Sequence, residues 1–318
     1  MLKLHYYNKL AIYSLTIASI AAVSQSAFAH TRLERATIDE GTSNPVTHAS
    51  SGRILNYLRI GHGCPPSNAR NPTYGTSLVF PNAVSYTPVI GVDSGTGKLF
   101  STKSARDFYS PLAGIAALRY TGGPWDSTNI KVDALGNKDG FWAGGKAYPQ
   151  TYSTTIAVDF DVNPVTINPA SCARSVTFEL AIADICDSSL PNSATATDEQ
   201  VLYWSPIPNF AGVPGAPFGA PTADPTHSVP GNVPNFVPAG PAYSKYDGYK
   251  DAAHTIAGDG WGSPATLTVQ RLTALPSGCT GNGGLGDDVY VYPAAAQIND
   301  ELPVWSGPKA GEGTLYWK

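Results

Sequence analysis

Apolar and polar residues alternate over short stretches of this chain, and Gly, Pro and Asn separate one stretch from the next. A period of two sends successive side chains to opposite faces of a strand, so each stretch reads as a strand with one buried face. The pattern predicts strands over 54–60, 76–80, 86–90, 114–121, 152–162, 175–184, 265–271 and 288–292. It is clearest at 152–162, where Ile156, Val158, Phe160 and Val162 share one face opposite Thr155, Asp159 and Asp161. Long amphipathic helices are absent from the pattern. Many strands joined by Gly, Pro and Asn turns predict an all-β fold, a Greek-key β-sandwich or a related barrel with long Pro/Gly-rich loops.

Two regions depart from the alternation. From Ser205 to Tyr243 prolines and glycines crowd the chain. Missing amide donors and fixed φ angles forbid regular sheet there, so 205–243 reads as a loop excursion wrapped over the sandwich, with Phe210, Phe218 and Phe236 packing it down. Past Cys279, the run Gly281–Asp288 invites a calcium reading, but its spacing is not that of an EF-hand and a glycine-rich hairpin turn is the simpler expectation. The terminal Leu315–Lys318 reads as an edge strand.

The stretch Ile54–Cys64 carries the candidate chemistry. Leu58 and Ile60 alternate with Tyr57 and Arg59, and His62 continues the face of Leu58 and Ile60. Gly61 and Gly63 flank His62 and leave room for a close approach by backbone or ligand, and Cys64 follows as a covalent anchor. A histidine held in this way suits a soft metal. The competing reading is a hydrogen-bonded core histidine at a strand-to-loop corner.

Residues 1–29 have the marks of a secretory signal: Lys3 and Lys9, an apolar run from Leu10 to Val23, and the small-residue site Ala27-Phe28-Ala29. No second apolar run reaches the roughly 18 residues needed to span a bilayer. The expectation is an exported chain with one β-rich domain over 30–318, for which membrane attachment needs a partner. Cleavage after Ala29 would make His30 the N-terminus, where α-amine and ring nitrogen together form a histidine brace for copper. The competing reading of His30 is a frayed end.

Removing residues 1–29 leaves 18 basic against 24 acidic residues, a formal charge of −6. With charged residues at 14% and no basic run, nucleic acid is excluded as a partner. Four cysteines, Cys64, Cys172, Cys186 and Cys279, in an exported protein read as two disulfides. Cys172 and Cys186 bracket a predicted strand of about ten residues, which sets them roughly 30 Å apart, too far for a bridge. Two schemes stay open: Cys64 with Cys172 and Cys186 with Cys279, or Cys64 with Cys186 and Cys172 with Cys279. Either ties the His62 corner to the long central strand.

No Gly-x-Ser-x-Gly elbow, phosphate loop or His-Glu-x-x-His helix is present. Five histidines, His30, His48, His62, His227 and His254, remain after processing, too few for a multicopper oxidase. Met1 is the sole methionine, which excludes a blue-copper site with an axial methionine. The composition allows one small site of two or three imidazoles, with His62, His30 and His254 as the candidate ligands.

The segment Arg59-Ile60-Gly61-His62-Gly63-Cys64, followed by Thr76-Ser77-Leu78-Val79-Phe80-Pro81-Asn82, resembles the opening of YcnI-type periplasmic copper proteins. More of the chain is similar to the surface-associated copper-binding proteins of methane-oxidising bacteria, the CorA/MopE type. That likeness runs through Ile60–Cys64, Asn168–Ala173, Ala181–Cys186, Gly262–Leu267 and Leu275–Cys279. It implies a protein at the periplasm or outer surface of a Gram-negative bacterium that binds one copper, mainly Cu(I), through two histidines and a tryptophan oxidised to kynurenine. His62 alone sits in a matching motif. Trp125, Trp142, Trp204 and Trp261 are candidates for the oxidised residue, and the insert holding His227 is longer than the family pattern.

The expected function is copper capture, storage or delivery without turnover, with an outer-membrane or redox protein as partner. Two alternatives stand beside it: a His30-brace copper oxidase acting on polysaccharide, and a metal-free carbohydrate-binding or structural surface module.

Overall fold

The alternation at Ile54–Ile60 produces the strand it predicts. In a computed structural model of the chain, Ile54, Asn56, Leu58 and Ile60 are buried, while Leu55, Tyr57 and Arg59 are half-buried. The structure describes residues 31–41, 52–61, 72–118, 125, 127–148, 155–185, 201–204, 265–302, 304–305 and 315–317. The expected signal segment 1–29 and the excursion 205–243 lie outside them.

The strands follow in chain order as β1 (Arg32–Leu33), β2 (Thr37–Asp39), β3 (Ile54–Ile60), β4 (Thr73–Val79), β5 (Val89–Asp93), β6 (Lys98–Phe100), β7 (Tyr109–Ser110), β8 (Ala116–Leu118) and β9 (Ser127–Val132). They continue as β10 (Lys138–Tyr148), β11 (Ile156–Val162), β12 (Thr166–Ile167), β13 (Ala173–Glu179), β14 (Ala181–Ile185) and β15 (Val201–Trp204). The last are β16 (Thr266–Gln270), β17 (Asp287–Tyr292), β18 (Val304–Trp305) and β19 (Leu315–Trp317). A single seven-residue helix, α1 (Ala295–Glu301), and two short helical turns complete the described elements.

Three sheets form the body. Their orders are β1-β3-β11-β8, β15-β14-β4-β10-β9 and β2-β16-β13-β17-β5-β6, and the pairs β12-β7 and β18-β19 are small ribbons. Most ladders are antiparallel, but β13 runs parallel to β17 and β16 parallel to β2. One apolar core joins the sheets. Phe160 of β11 meets Phe141 of β10 at 5.5 Å and Phe80, just past β4, at 6.1 Å between ring centroids. Tyr109 packs edge-on against Phe178 of β13 at 4.9 Å. Each such ring contributes roughly 1.5–3 kcal/mol through burial. The architecture is all-β and sandwich-like.

Several expectations need correction. Residues 175–184 do not form one strand, because the chain breaks at Leu180, leaving β13 in the six-stranded sheet and β14 in the five-stranded one. The Leu180 amide donates to the Ala265 carbonyl at 3.0 Å instead of to either ladder. The strand expected at 86–90 starts at Val89, after a turn in which the Asn82 side chain accepts from the amides of Val84 and Ser85. At Gly281–Gly284 the chain makes a helical turn with Asn282 and Gly283 at positive φ. It is no hairpin, since the next strand, β17, pairs with β13 and β5 and not with β16.

Of the two disulfide schemes the structure selects one half of the second: Cys172 and Cys279 are bonded with Cα atoms 5.4 Å apart. This excludes Cys64 with Cys172 and Cys186 with Cys279. The bond ties the start of β13 to the loop after β16, so it does not itself brace the His62 corner. Cys64 and Cys186 lie outside the described residues. The bridge closes a sequence separation of 107 residues. Cys172→Ser with Cys279→Ser is expected to lower unfolding free energy by about 2–5 kcal/mol, measured by urea denaturation monitored by tryptophan fluorescence. An unchanged midpoint would show that the bridge adds nothing to stability.

Candidate functional site

The candidate ligands His62, His30 and His254 lie outside the described residues, as do His48 and His227. Described residues build the frame from which the first two leave. Strands β1 and β3 are antiparallel, with Arg32 opposite Arg59 and Leu33 opposite Leu58. Stepping back from Arg32 toward residue 30 and forward from Arg59 toward residue 62 therefore leads off the same end of one ladder. Ile60, at that end, is buried and paired with Ile156 of β11.

A buried carboxylate holds this end in place. Thr31 is 1% exposed, and its hydroxyl donates to Asp184 Oδ2 at 2.6 Å. The other oxygen, Asp184 Oδ1, accepts from the Thr76 hydroxyl at 2.7 Å. Thr76 and Asp184 also face each other across the β4–β14 ladder. Asp184 thus fastens the start of the four-stranded sheet to the five-stranded sheet, one residue before β14 ends at Ile185. Hydroxyl bonds to a buried carboxylate are charge-assisted and stronger than neutral ones.

The neighbouring Asn56 does similar work with an amide. It is fully buried, its Oδ1 accepts from the amides of Arg35 and Tyr57, and its Nδ2 donates to the Arg35 carbonyl at 2.9 Å. A polar residue on the apolar face of β3 is tolerated because its donors and acceptor are met by backbone.

Among the described residues no group of three or more His, Cys, Asp and Glu side chains could hold a metal ion. The acids of the calcium reading are already occupied. Asp287 Oδ1 accepts from the Ser94 hydroxyl, and Asp288 from Arg174 and Ser175. Of the tryptophans, Trp125 is buried with its Nε1 lacking a partner, Trp142 lies on β10 and Trp204 on β15, and Trp261 falls outside the described residues.

The strongest electrostatic feature is one that the sequence reading missed. Where α1 ends, the buried Lys131 ammonium of β9 donates to the carbonyls of Glu301 at 2.5 Å and Leu302 at 3.3 Å, and the Ser77 hydroxyl of β4 donates to Leu302 at 2.6 Å. A cation at the C-terminal carbonyls satisfies both their unpaired acceptors and the helix dipole. Earlier in the helix, Gln297 donates to the Phe80 carbonyl and to Glu301 Oε2, both at 2.8 Å, and accepts from the Asn82 amide. Polar side chains therefore dock α1 on the five-stranded sheet.

Inside this cluster the carboxyls divide into two kinds. Burial would raise the Asp133 pKa, but bonds from Asn137, Ser85 and Asn82 outweigh it and hold the group at about 2. Burial pushes Asp139 up to about 9, with the Glu301 charge adding to the effect. Burial raises Glu301 too, against the hydrogen bonds of Gln297 and Asp139 and the Lys131 charge. Lys131 is lowered to about 7 by burial, with Glu301 acting in the opposite direction. Asp139 Oδ1 and Glu301 Oε1 are both buried without a donor, and one proton held between these carboxyls satisfies both. A search for charge patterns along the chain misses the pair, because its members stand far apart in sequence.

The linkage has a definite sign. A carboxyl whose folded pKa is raised takes up a proton on folding, so its stabilising effect is complete below the unfolded value near 4 and is lost as pH rises toward the folded value of about 9. Lys131 brings an opposing slope only above about pH 7. Between pH 5 and pH 7, Asp139→Asn is therefore expected to remove a decline in stability on the order of 1–3 kcal/mol seen in the parent protein. Denaturation at both pH values checks this, and equal slopes in parent and variant would refute the shared proton.

No protein-family model matches this chain, and no curated protein matches it.

Proposed function

We propose that this is an exported copper-binding protein that captures, stores or delivers the metal without turnover, with His62 as its principal ligand and His30 and His254 completing the site. The observation that carries the reading is the β1–β3 ladder fastened by Asp184: Arg32 stands opposite Arg59, and Thr31 is buried on the Asp184 carboxylate. Consecutive Cα atoms are about 3.8 Å apart, so residue 30 is tethered one step from the pinned Thr31 and residue 62 two steps from the paired Ile60. Two nitrogen donors leaving one ladder end on tethers this short suit an ion of low coordination number, and imidazole suits copper. The likeness to CorA/MopE-type surface proteins supports the same reading through Ile60-Gly61-His62-Gly63-Cys64. It also supports placing the protein at the periplasm or outer surface, with an outer-membrane or redox protein as recipient.

The chemistry is capture. A ligand set hung from rigid strands loses little freedom when the ion arrives, which raises affinity without any new contact. His62→Ala is expected to lose most of the bound copper, measured by elemental analysis after equilibration with Cu(I), while far-ultraviolet circular dichroism stays unchanged. Full stoichiometry in a folded His62→Ala protein would overturn the reading. The pinned Thr31 also favours a second reading, a histidine brace at His30 able to support oxidation of polysaccharide. N-terminal sequencing of the secreted protein decides its premise, since a mature chain beginning anywhere except His30 has no brace.

A further inference from the structure

Away from the ladder end, residues 86–90 and 101–106, with Ala83 and Leu112, line a half-open cavity of about 420 Å³. That size is typical of pockets for small organic molecules. Two hydrogen bonds set its walls: the Ala83 amide donates to the Leu112 carbonyl at 2.7 Å, and the Ser101 amide to the Ile90 carbonyl at 2.9 Å. Val89, Ile90 and Ala105 are buried among the lining residues and give it an apolar floor.

The charged residues that line the cavity itself are of one sign. Lys103 and Arg106 both line it, and no Asp or Glu does. Both side chains are exposed, and neither forms an ion pair with a carboxylate among the described residues. The Lys103 ammonium lies 5.9 Å from the centre of the Phe108 ring. Asp107, next in sequence, is engaged elsewhere, since its Oδ2 accepts from the Ser104 amide at 2.8 Å and the Ser104 hydroxyl at 3.0 Å. On the other wall the Tyr86 hydroxyl donates to Asp300 at 3.4 Å. Two uncompensated cations at one cavity stand out in a chain with a formal charge of −4.

We infer that this cavity binds a small organic anion with an apolar body, its oxyanion group held by Lys103 and Arg106 and its body laid against Val89, Ile90 and Leu112. An arginine fork pairs with two oxygens of a carboxylate or sulfonate at once, and a lysine adds a point charge beside it. The apolar floor favours a ligand with a ring or short chain over a bare inorganic anion. This site is independent of the copper reading.

Three probes on the full mature protein test the inference. 1-Anilinonaphthalene-8-sulfonate carries both the anion and the apolar body, N-phenyl-1-naphthylamine carries the body alone, and inorganic sulfate the anion alone. The sulfonate is expected to bind at one equivalent by fluorescence titration, and to weaken by about tenfold or more in Lys103→Gln with Arg106→Gln. Lys138→Gln, at an exposed lysine outside the cavity, should leave it unchanged. The neutral probe is expected to bind more weakly and to ignore both substitutions, while sulfate competes only at high concentration. Circular dichroism of the double variant keeps a folding defect distinguishable, and Leu112→Glu, which puts a like charge and extra bulk in the cavity, gives a second route to the same loss. Absence of saturable binding, equal sulfonate affinity in a folded double variant, or neutral-probe binding as tight as the sulfonate's would each overturn it.

Discussion

The passage of the chain through Leu180 is the constraint on which the rest of this structure depends. Residues 173–185 supply a central strand to the six-stranded sheet and then, after one residue, a strand to the five-stranded sheet. Leu180 is fully buried, and nearly every position on both sides of it is buried as well. The two sheets therefore share a covalent edge that cannot open without exposing both. At one end of the segment the Cys172–Cys279 bond holds it to the loop after β16, and at the other Asp184 holds Thr31 and Thr76. The end of the β1–β3 ladder is thus fastened to the core by Asp184 and by the pairing of Ile60 with Ile156.

Elements buried on one face were legible in the sequence, and those shaped by their neighbours were not. The strand at 54–60 has the bounds its alternation gives, and β16 and β17 agree within a residue at each end. The break at Leu180 leaves no trace, because Val176, Phe178, Leu180 and Ile182 keep a period of two straight through it without glycine or proline. The eleven-residue β10 was missed for the opposite reason: Gly140, Gly144 and Gly145 interrupt its apolar pattern. Those glycines are what the sheet requires. A Cβ at Gly140 would stand 1.9 Å from the Leu78 carbonyl oxygen, and one at Gly144 would stand 2.7 Å from that of Tyr74. The His62 motif could be seen in the sequence as a glycine-flanked imidazole on a core-facing period, whereas the Asp184 bonds that steady its ladder span 153 and 108 residues and leave no local signal.

Buried polar groups in this fold obey one rule, visible by comparing four carboxyls. Glu40 and Asp133 are both buried, yet both remain ionised, because each collects several donors: Glu40 takes the amides of Ile167, Leu272 and Thr273 and the Thr273 hydroxyl. Asp139 and Glu301 lie deeper and hydrogen-bond to each other, each keeps one oxygen without a donor, and burial pushes both upward. Depth and the number of donors together decide which state a carboxyl adopts. That is why the same apolar interior can hold a charged strap at Glu40 and a neutral one at Asp139.

The same rule bears on what the described carboxylates can offer an ion. Asp139 and Glu301 each keep one buried oxygen without a donor, but Asp184, Asp133, Glu40 and Asp288 are occupied by hydroxyl, amide or guanidinium donors. Freeing one for a cation would leave its donors unpaired in an apolar setting, at a cost of about 1–3 kcal/mol for each. Oxygens committed in this way to holding sheets together are poorly available to a hard cation such as calcium or magnesium. The architectural role of these four carboxylates then follows from how this interior satisfies its own polar groups.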